Sequence, residues 1–268
     1  MLSLPAGITS RASSPGESAP ALRRRRWARA LASFAIAGQV SFVLAWIIAG
    51  ALEPSYSPLH EYVSELGRRD AAHPWIFDLS TLIWGLGFIS LGVALLPSAQ
   101  ARRGSSIAPG LFILAGLLAI SLAPLRLDCA ASVNQLCGAR QHAGSLSWQE
   151  YGHVWAAFGL EVALLLTPFA LAFSLWPGPF ARLSLIGGSA VVALLAVLLI
   201  SGIAAGAHTH DAGLDGLWQR FWLAVTNLWV LVCAIAVILG AIPSRTVPAS
   251  GAAAPVDEPP PPVECPAG

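Results

Sequence analysis

Six separate stretches of this chain are apolar almost without interruption, and each is about as long as a lipid bilayer is thick. A helix needs about 20 apolar residues to cross a hydrocarbon core of about 30 Å. The stretches run over 28–52, 75–96, 107–125, 153–176, 183–206 and 217–242. Spanning strands are half as long and alternate apolar with polar residues, so they do not fit these continuous runs. Composition agrees. Hydrophobic residues make up 56% of the chain and charged residues 11%, against about 25% charged in a soluble domain. A soluble fold of this size could not coat that much apolar surface with charge. The expected fold is an all-α integral membrane six-helix bundle (28–242), and the expected partner is the lipid bilayer, with no nucleic acid.

The flanks are different. Residues 1–27, rich in Ser, Pro, Ala and Arg, read as a disordered cytoplasmic N-tail. Residues 243–268, with Glu258 followed by four prolines, read as a disordered Pro-rich cytoplasmic C-tail. Every basic residue is Arg, and arginine placement sets orientation. With the N-terminus inside, ten arginines are cytoplasmic, including Arg23 to Arg26, and five are outside: Arg68, Arg69, Arg126, Arg140 and Arg220. Both termini are therefore placed in the cytoplasm of a multi-pass protein of the cell (inner) membrane. The first span exceeds the 7–15 residues of a signal-peptide core and reads as an uncleaved anchor. Cleavage would leave five helices.

This orientation gathers the chemistry on one face. All six histidines, eight of the fourteen acids and the longer loops lie outside. In the first outer loop a short amphipathic helix is expected after Pro58. It would pair His60 with Ser64 and Glu61 with Glu65 at i, i+4. Such a helix either packs on the bundle top or walls a polar site. Asp78 opens the second span, where the helix dipole favours an acid; pairing with Arg220 is the alternative. The third outer loop carries Asp128, with Cys129 and Cys137 spaced to close a disulfide in an oxidising exterior. Glu150 and His153 open the fourth span, and Glu161 lies within it. A carboxylate at that depth either marks a site or is a protonated group bonded to a neighbouring helix. Arg220 starts the sixth span against the dipole, so it needs Asp78, Glu161 or an anionic ligand. Trp75, Trp218 and Trp222 read as an outer aromatic belt, and Trp27 and Trp176 as the inner one. Gly202 and Gly206 form a G-x-x-x-G pattern for close helix packing or homo-oligomerisation.

Two motifs resemble a known family. The run from Tyr56-Ser57-Pro58 through Val63-Ser64-Glu65-Leu66-Gly67 after a first span, and Gly216-Leu217-Trp218-Gln219-Arg220 opening the last, resemble the uncharacterised bacterial and archaeal family called domain of unknown function 998. Asp128 after the third helix, with His153 opening the fourth, is similar as well. The chain departs from that pattern in a long insertion between Cys129 and Trp148. The resemblance implies a six-helix membrane protein and no established activity.

Three functions follow. One is an outward-facing polar pocket that binds or moves a small polar ligand, ion or lipid headgroup. Its candidate residues are His60, Ser64, Glu65, Asp78, Asp128, His153, Glu161 and Arg220. Another is a metal-dependent intramembrane hydrolase, with zinc held by Asp128, His153, His208 and His210 and activating a water. The third is a structural or partner-binding component. No nucleotide-binding loop, dinucleotide fingerprint, zincin helix or nucleophile elbow is present.

Overall fold

The computed structural model describes residues 19–99, 106–206 and 214–242. These residues form seven α-helices, α1 (Ala19–Leu52), α2 (Pro74–Ala99), α3 (Ile107–Ser121), α4 (Gln135–His142), α5 (Trp148–Leu175), α6 (Pro179–Gly206) and α7 (Asp215–Leu239), with a 3₁₀ turn at Val63–Gly67. Among the described residues there is no strand. Five helices, α1, α2, α5, α6 and α7, are long and apolar enough to cross a membrane, and α3 is a shorter apolar helix.

Burial on these helices is inverted relative to a water-soluble bundle. On α1 the buried residues are Ala32, Ala35, Gly38, Gln39, Phe42 and Ala49, while Phe34, Leu44, Ile47 and Ile48 are exposed. Small residues face the neighbouring helix and large apolar ones face out. Lipid rewards that arrangement: tails are as apolar as leucine, so helices associate by close backbone packing. The chain is a multi-pass membrane protein.

Around the bundle the helices neighbour one another in the order α6, α5, α3, α2, α1, α7, and α7 meets α6 again. Glycines set the tightest crossing. A Cβ on Gly85 of α2 would lie 2.5 Å from the Gly116 carbonyl of α3, and one on Gly116 would lie 2.5 Å from the Gly85 carbonyl. No rotamer change relieves a clash with main chain.

Element boundaries differ from expectation for local reasons. α1 begins at Ala19, so the last residues of the expected N-tail are helical; arginine is a good helix former, and the helix outruns its apolar stretch. α3 stops at Ser121 rather than 125, shortly before Pro124, which has no N–H to continue the helical ladder. α5 begins at Trp148 instead of 153, with the Ser147 hydroxyl accepting from the Glu150 N–H as an N-cap. Pro168 inside α5 has no N–H for the Leu164 carbonyl. The Thr167 hydroxyl donates to that carbonyl instead (2.7 Å), and accepts from the Trp229 indole of α7 (3.0 Å). The expected amphipathic helix after Pro58 is replaced by the 3₁₀ turn, which starts only at Val63, so His60 and Ser64 share no helix face.

Replacing Gly116 with Ala should lower the melting temperature in detergent by the equivalent of about 1–3 kcal/mol, the usual cost of overpacking. Gly110, also on α3, has nothing within 4 Å of a built Cβ; Gly110→Ala should leave stability unchanged or slightly raised. Equal effects from the two would contradict the α2–α3 crossing.

Candidate binding pocket

The long connections, residues 53–73 and 122–147, lie at one end of the bundle and knit into a polar layer there. Its centre is Arg220. Nη1 donates to the carbonyls of Pro58 (2.6 Å), Glu61 (2.9 Å) and Gly216 (2.9 Å), and Nη2 donates to the Tyr56 hydroxyl. The guanidinium also lies 5.4 Å from the Tyr56 ring centroid. Burial pushes the Tyr56 hydroxyl up to about 12, against the lowering influence of Arg220, so it stays neutral and donates to the Tyr62 carbonyl (3.1 Å). Two further bonds dock the start of α7 on the same loop. Leu217 N–H meets the Leu59 carbonyl (3.1 Å), and Val63 N–H meets Gln219 Oε1 (2.5 Å). Gly216 is required at this contact, since a Cβ would run into the carbonyls of Glu61 and Pro58.

The other charges are also matched. Arg68 pairs with Glu53 (2.5 Å) and Asp70 (3.0 Å), and Arg126 pairs with Asp78. Glu65 accepts from Tyr62 N–H (2.9 Å), Ser132 N–H (3.0 Å) and the Ser132 hydroxyl (2.6 Å). Burial nevertheless raises its carboxyl above the usual range. Ser132 sits in the short loop closed by the disulfide between Cys129 and Cys137, whose Cα atoms are 6.1 Å apart. Asp128 accepts from Ser147 N–H (2.6 Å) and its hydroxyl (2.7 Å), with Arg69 3.5 Å away. Burial alone would raise this carboxyl; the Ser147 bonds and the charges of Arg69 and Arg140 outweigh it and hold it below its ordinary 3.8.

Beneath this layer is a cavity of about 40 Å³, room for roughly two or three waters. Ser64 and Val63 of the 3₁₀ turn, His153 and Glu161 of α5, and Gln219, Trp222 and Thr226 of α7 line it, with Phe42, Phe77 and Trp84 as aromatic wall. Glu161 lies thirteen residues into α5, about 20 Å from its start at ~1.5 Å per residue. Its carboxyl group makes no hydrogen bond among the described residues. His153 is 3% exposed. Its Nδ1 lies 2.7 Å from the Leu125 carbonyl, so Nδ1 carries the proton and Nε2 of the neutral ring is an acceptor. That Nε2, and the indole nitrogen of Trp222 (5% exposed), are buried without a partner. Behind the wall, the Trp84 indole donates to Gln39 Oε1 (2.7 Å) and Asn227 Oδ1 (3.1 Å), and its ring stacks on Phe42 at 4.0 Å.

The candidate residues therefore divide. Ser64, His153 and Glu161 share the cavity. Glu65, Asp78, Asp128 and Arg220 are committed to the polar layer, and His60 lies beside it in the turn before Glu61. Arg220 meets neither Asp78 nor Glu161; carbonyls compensate it, and Asp78 takes Arg126. Trp222 is not part of an outer belt: it faces inward, whereas Trp75 and Trp218 are exposed. Gln219, Trp222 and Thr226 were missed as cavity residues, although their i, i+3, i+7 spacing marks one face of α7. Among the described residues no three His, Cys, Asp or Glu side chains come together as a metal site. His208 and His210 lie outside the described residues. Gly202 and Gly206 fall in α6.

The chain belongs to the family described as Protein of unknown function (DUF998), which matches residues 36–236 and so takes in every residue lining the cavity. Neither a curated protein nor a solved structure matches it.

Lysine cannot reproduce the forked contacts of Arg220. Arg220→Lys should speed amide hydrogen exchange across residues 56–67 and cost about 1–3 kcal/mol of stability; unchanged protection there would contradict the docking. Asp128 also gives a pH signature. Because its folded value is depressed, its contribution is fully present above 3.8 and is lost as pH falls through the lower value. The melting-temperature gap between wild type and Asp128→Asn should be largest near neutrality and close below that pH. A gap that widens on acidification would reverse the assignment.

Proposed function

We propose that this member of the family is a six-span protein of the cell membrane, with both termini cytoplasmic, that admits a small polar solute from the outer face into the pocket around Glu161. α3 counts as the sixth span. Its neighbours in the bundle, α2 and α5, are both long enough to cross, and its own 15 residues are apolar and carry no charged side chain. Six crossings return the chain to its starting side, and the arginine excess makes that side the cytoplasm.

One observation carries the pocket reading. An acid deep in a lipid-embedded helix lines a cavity together with two buried, unpartnered polar groups, His153 Nε2 and Trp222 Nε1. Leaving such groups unmatched costs about 1–3 kcal/mol each, and intramembrane acids mark binding or transport sites by default. Binding or passage of a solute supplies the missing partners. The polar layer above keeps Ser64 and Val63 over the cavity as its roof.

Two experiments test this. A reporter fused after Ile242 should be cytoplasmic; an extracytoplasmic signal would overturn the topology. In a Cys233→Ala, Cys265→Ser background, Ala157→Cys on the cavity wall should react with small charged methanethiosulfonate reagents added from outside. Phe158→Cys, one residue on and exposed on the bundle surface, should not. Equal reactivity, or none at Ala157→Cys with either an ethylammonium or an ethylsulfonate reagent, would sink the pocket. Glu161→Gln should insert normally.

A further inference from the structure

We infer that the solute is a small ammonium-type cation, one that donates hydrogen bonds, and not an anion or a phosphate headgroup. This rests on the pocket reading above. The cavity offers acceptors. Glu161 is its one acid, His153 presents an Nε2 lone pair because Nδ1 is held by Leu125, and Ser64 adds a hydroxyl oxygen. Trp222 and the Gln219 amide supply neutral donors, which suit a carboxylate or water oxygen but carry no charge to hold an anion.

The cationic side chains point the same way. No arginine lines the cavity. At this end of the bundle Arg68 is matched by Glu53, Arg69 by Asp128 and Arg126 by Asp78, and Arg220 is spent on main-chain carbonyls. A phosphate or carboxylate entering the pocket would meet Glu161 with no guanidinium to offset it. Anion recognition ordinarily relies on forked charge-assisted bonds, and no guanidinium among the lining residues offers them.

The walls favour a cation as well. Phe42, Phe77 and Trp84 line the same space; Phe42 and Trp84 stack on each other and make a dry wall of low polarity, in which the attraction of Glu161 for a cation is stronger than in water. Trp84 is fixed by its bonds to Gln39 and Asn227, so that wall is preorganised. A monovalent cation beside Glu161 also forms a neutral pair, which lowers the cost of keeping a carboxylate inside the bilayer.

The test uses the full-length Ala157→Cys protein, in the background above, in proteoliposomes. The ethylammonium reagent should modify it faster than the ethylsulfonate reagent, after correction for their rates with a free thiol, and Glu161→Gln should erase that preference. Methylammonium chloride at twice its dissociation constant should slow modification about threefold, since occupancy scales as one plus the ligand-to-Kd ratio. Sodium chloride and sodium acetate at equal ionic strength should not protect, and methylammonium should not protect the Glu161→Gln variant. Protection by acetate or inorganic phosphate, equal rates for the two reagents, or no protection by methylammonium up to 200 mM would each overturn the cation assignment while leaving an accessible pocket. Failure of both reagents to react would instead remove the pocket itself.

Discussion

A guanidinium at the N-terminal end of α7 is in an unfavourable place, because the helix dipole is positive there. Among the described residues no carboxylate pairs with Arg220. It is held by the negative ends of three carbonyl dipoles and one phenolic oxygen, and two of those carbonyls belong to a segment about 160 residues earlier in the chain. That single docking fixes the register of α7 against the first loop. It requires Gly216, since any side chain there would hold the backbones apart. It also places the 3₁₀ turn over the bundle interior, where Val63 N–H is tied to Gln219. Without it, α7 and α1 would still pack as apolar helices, but only the Leu59–Leu217, Val63–Gln219 and Glu65–Ser132 bonds would be left to hold the turn above the cavity.

The cavity follows from where α5 and α7 are joined and where they are not. At depth, Trp229 donates to Thr167, whose own hydroxyl repairs the carbonyl freed by Pro168. At the loop-bearing end, the roof of the first loop reaches both α7, through Gln219 and Arg220, and the insertion, through Glu65 and Ser132. Between these closures the facing side chains are Glu161, Trp222 and Thr226, and they leave space. A mid-membrane proline whose freed acceptor is repaired locally is tolerated in a lipid-embedded helix.

Much of this was legible in the sequence, and the division has a physical basis. Apolar run length reports the solvent, so the helices and their approximate limits could be read directly. Cys129 and Cys137 could be paired by proximity and compartment. Partner choice was not legible. Arg220 looked as if it needed an acid because main-chain carbonyls are invisible in a sequence; Asp78 paired with Arg126 because both sit at the same bundle end on adjacent helices, α2 and the segment after α3. Depth was equally hidden. Trp218 and Trp222 are four residues apart and share a side of α7, but one turn along the axis separates an exposed ring from a buried one. The 3₁₀ turn begins at Val63 and not after Pro58 because Glu65 reaches back to the Tyr62 amide, a capping contact that starts a helical turn at that point.

The motifs that tie this chain to its family take on a specific meaning in this geometry. Most of their residues, Tyr56, Glu65, Gly216, Gln219 and Arg220, touch one another or the insertion, and contribute architecture. Ser64, alone among the polar side chains of the first motif, faces the cavity, where His153 and Glu161 stand on α5, outside both motifs. A signature spread over the two ends of a membrane domain thus reduces to one construction: a loop clamped to the last helix by a guanidinium, holding a hydroxyl above an acid in the lipid interior. If the proposed pocket is the working part of the protein, diversity of solute within the same clamp would arise from the side chains of α5 and α7 and from the aromatic wall, because these can change without disturbing any bond that Arg220 makes.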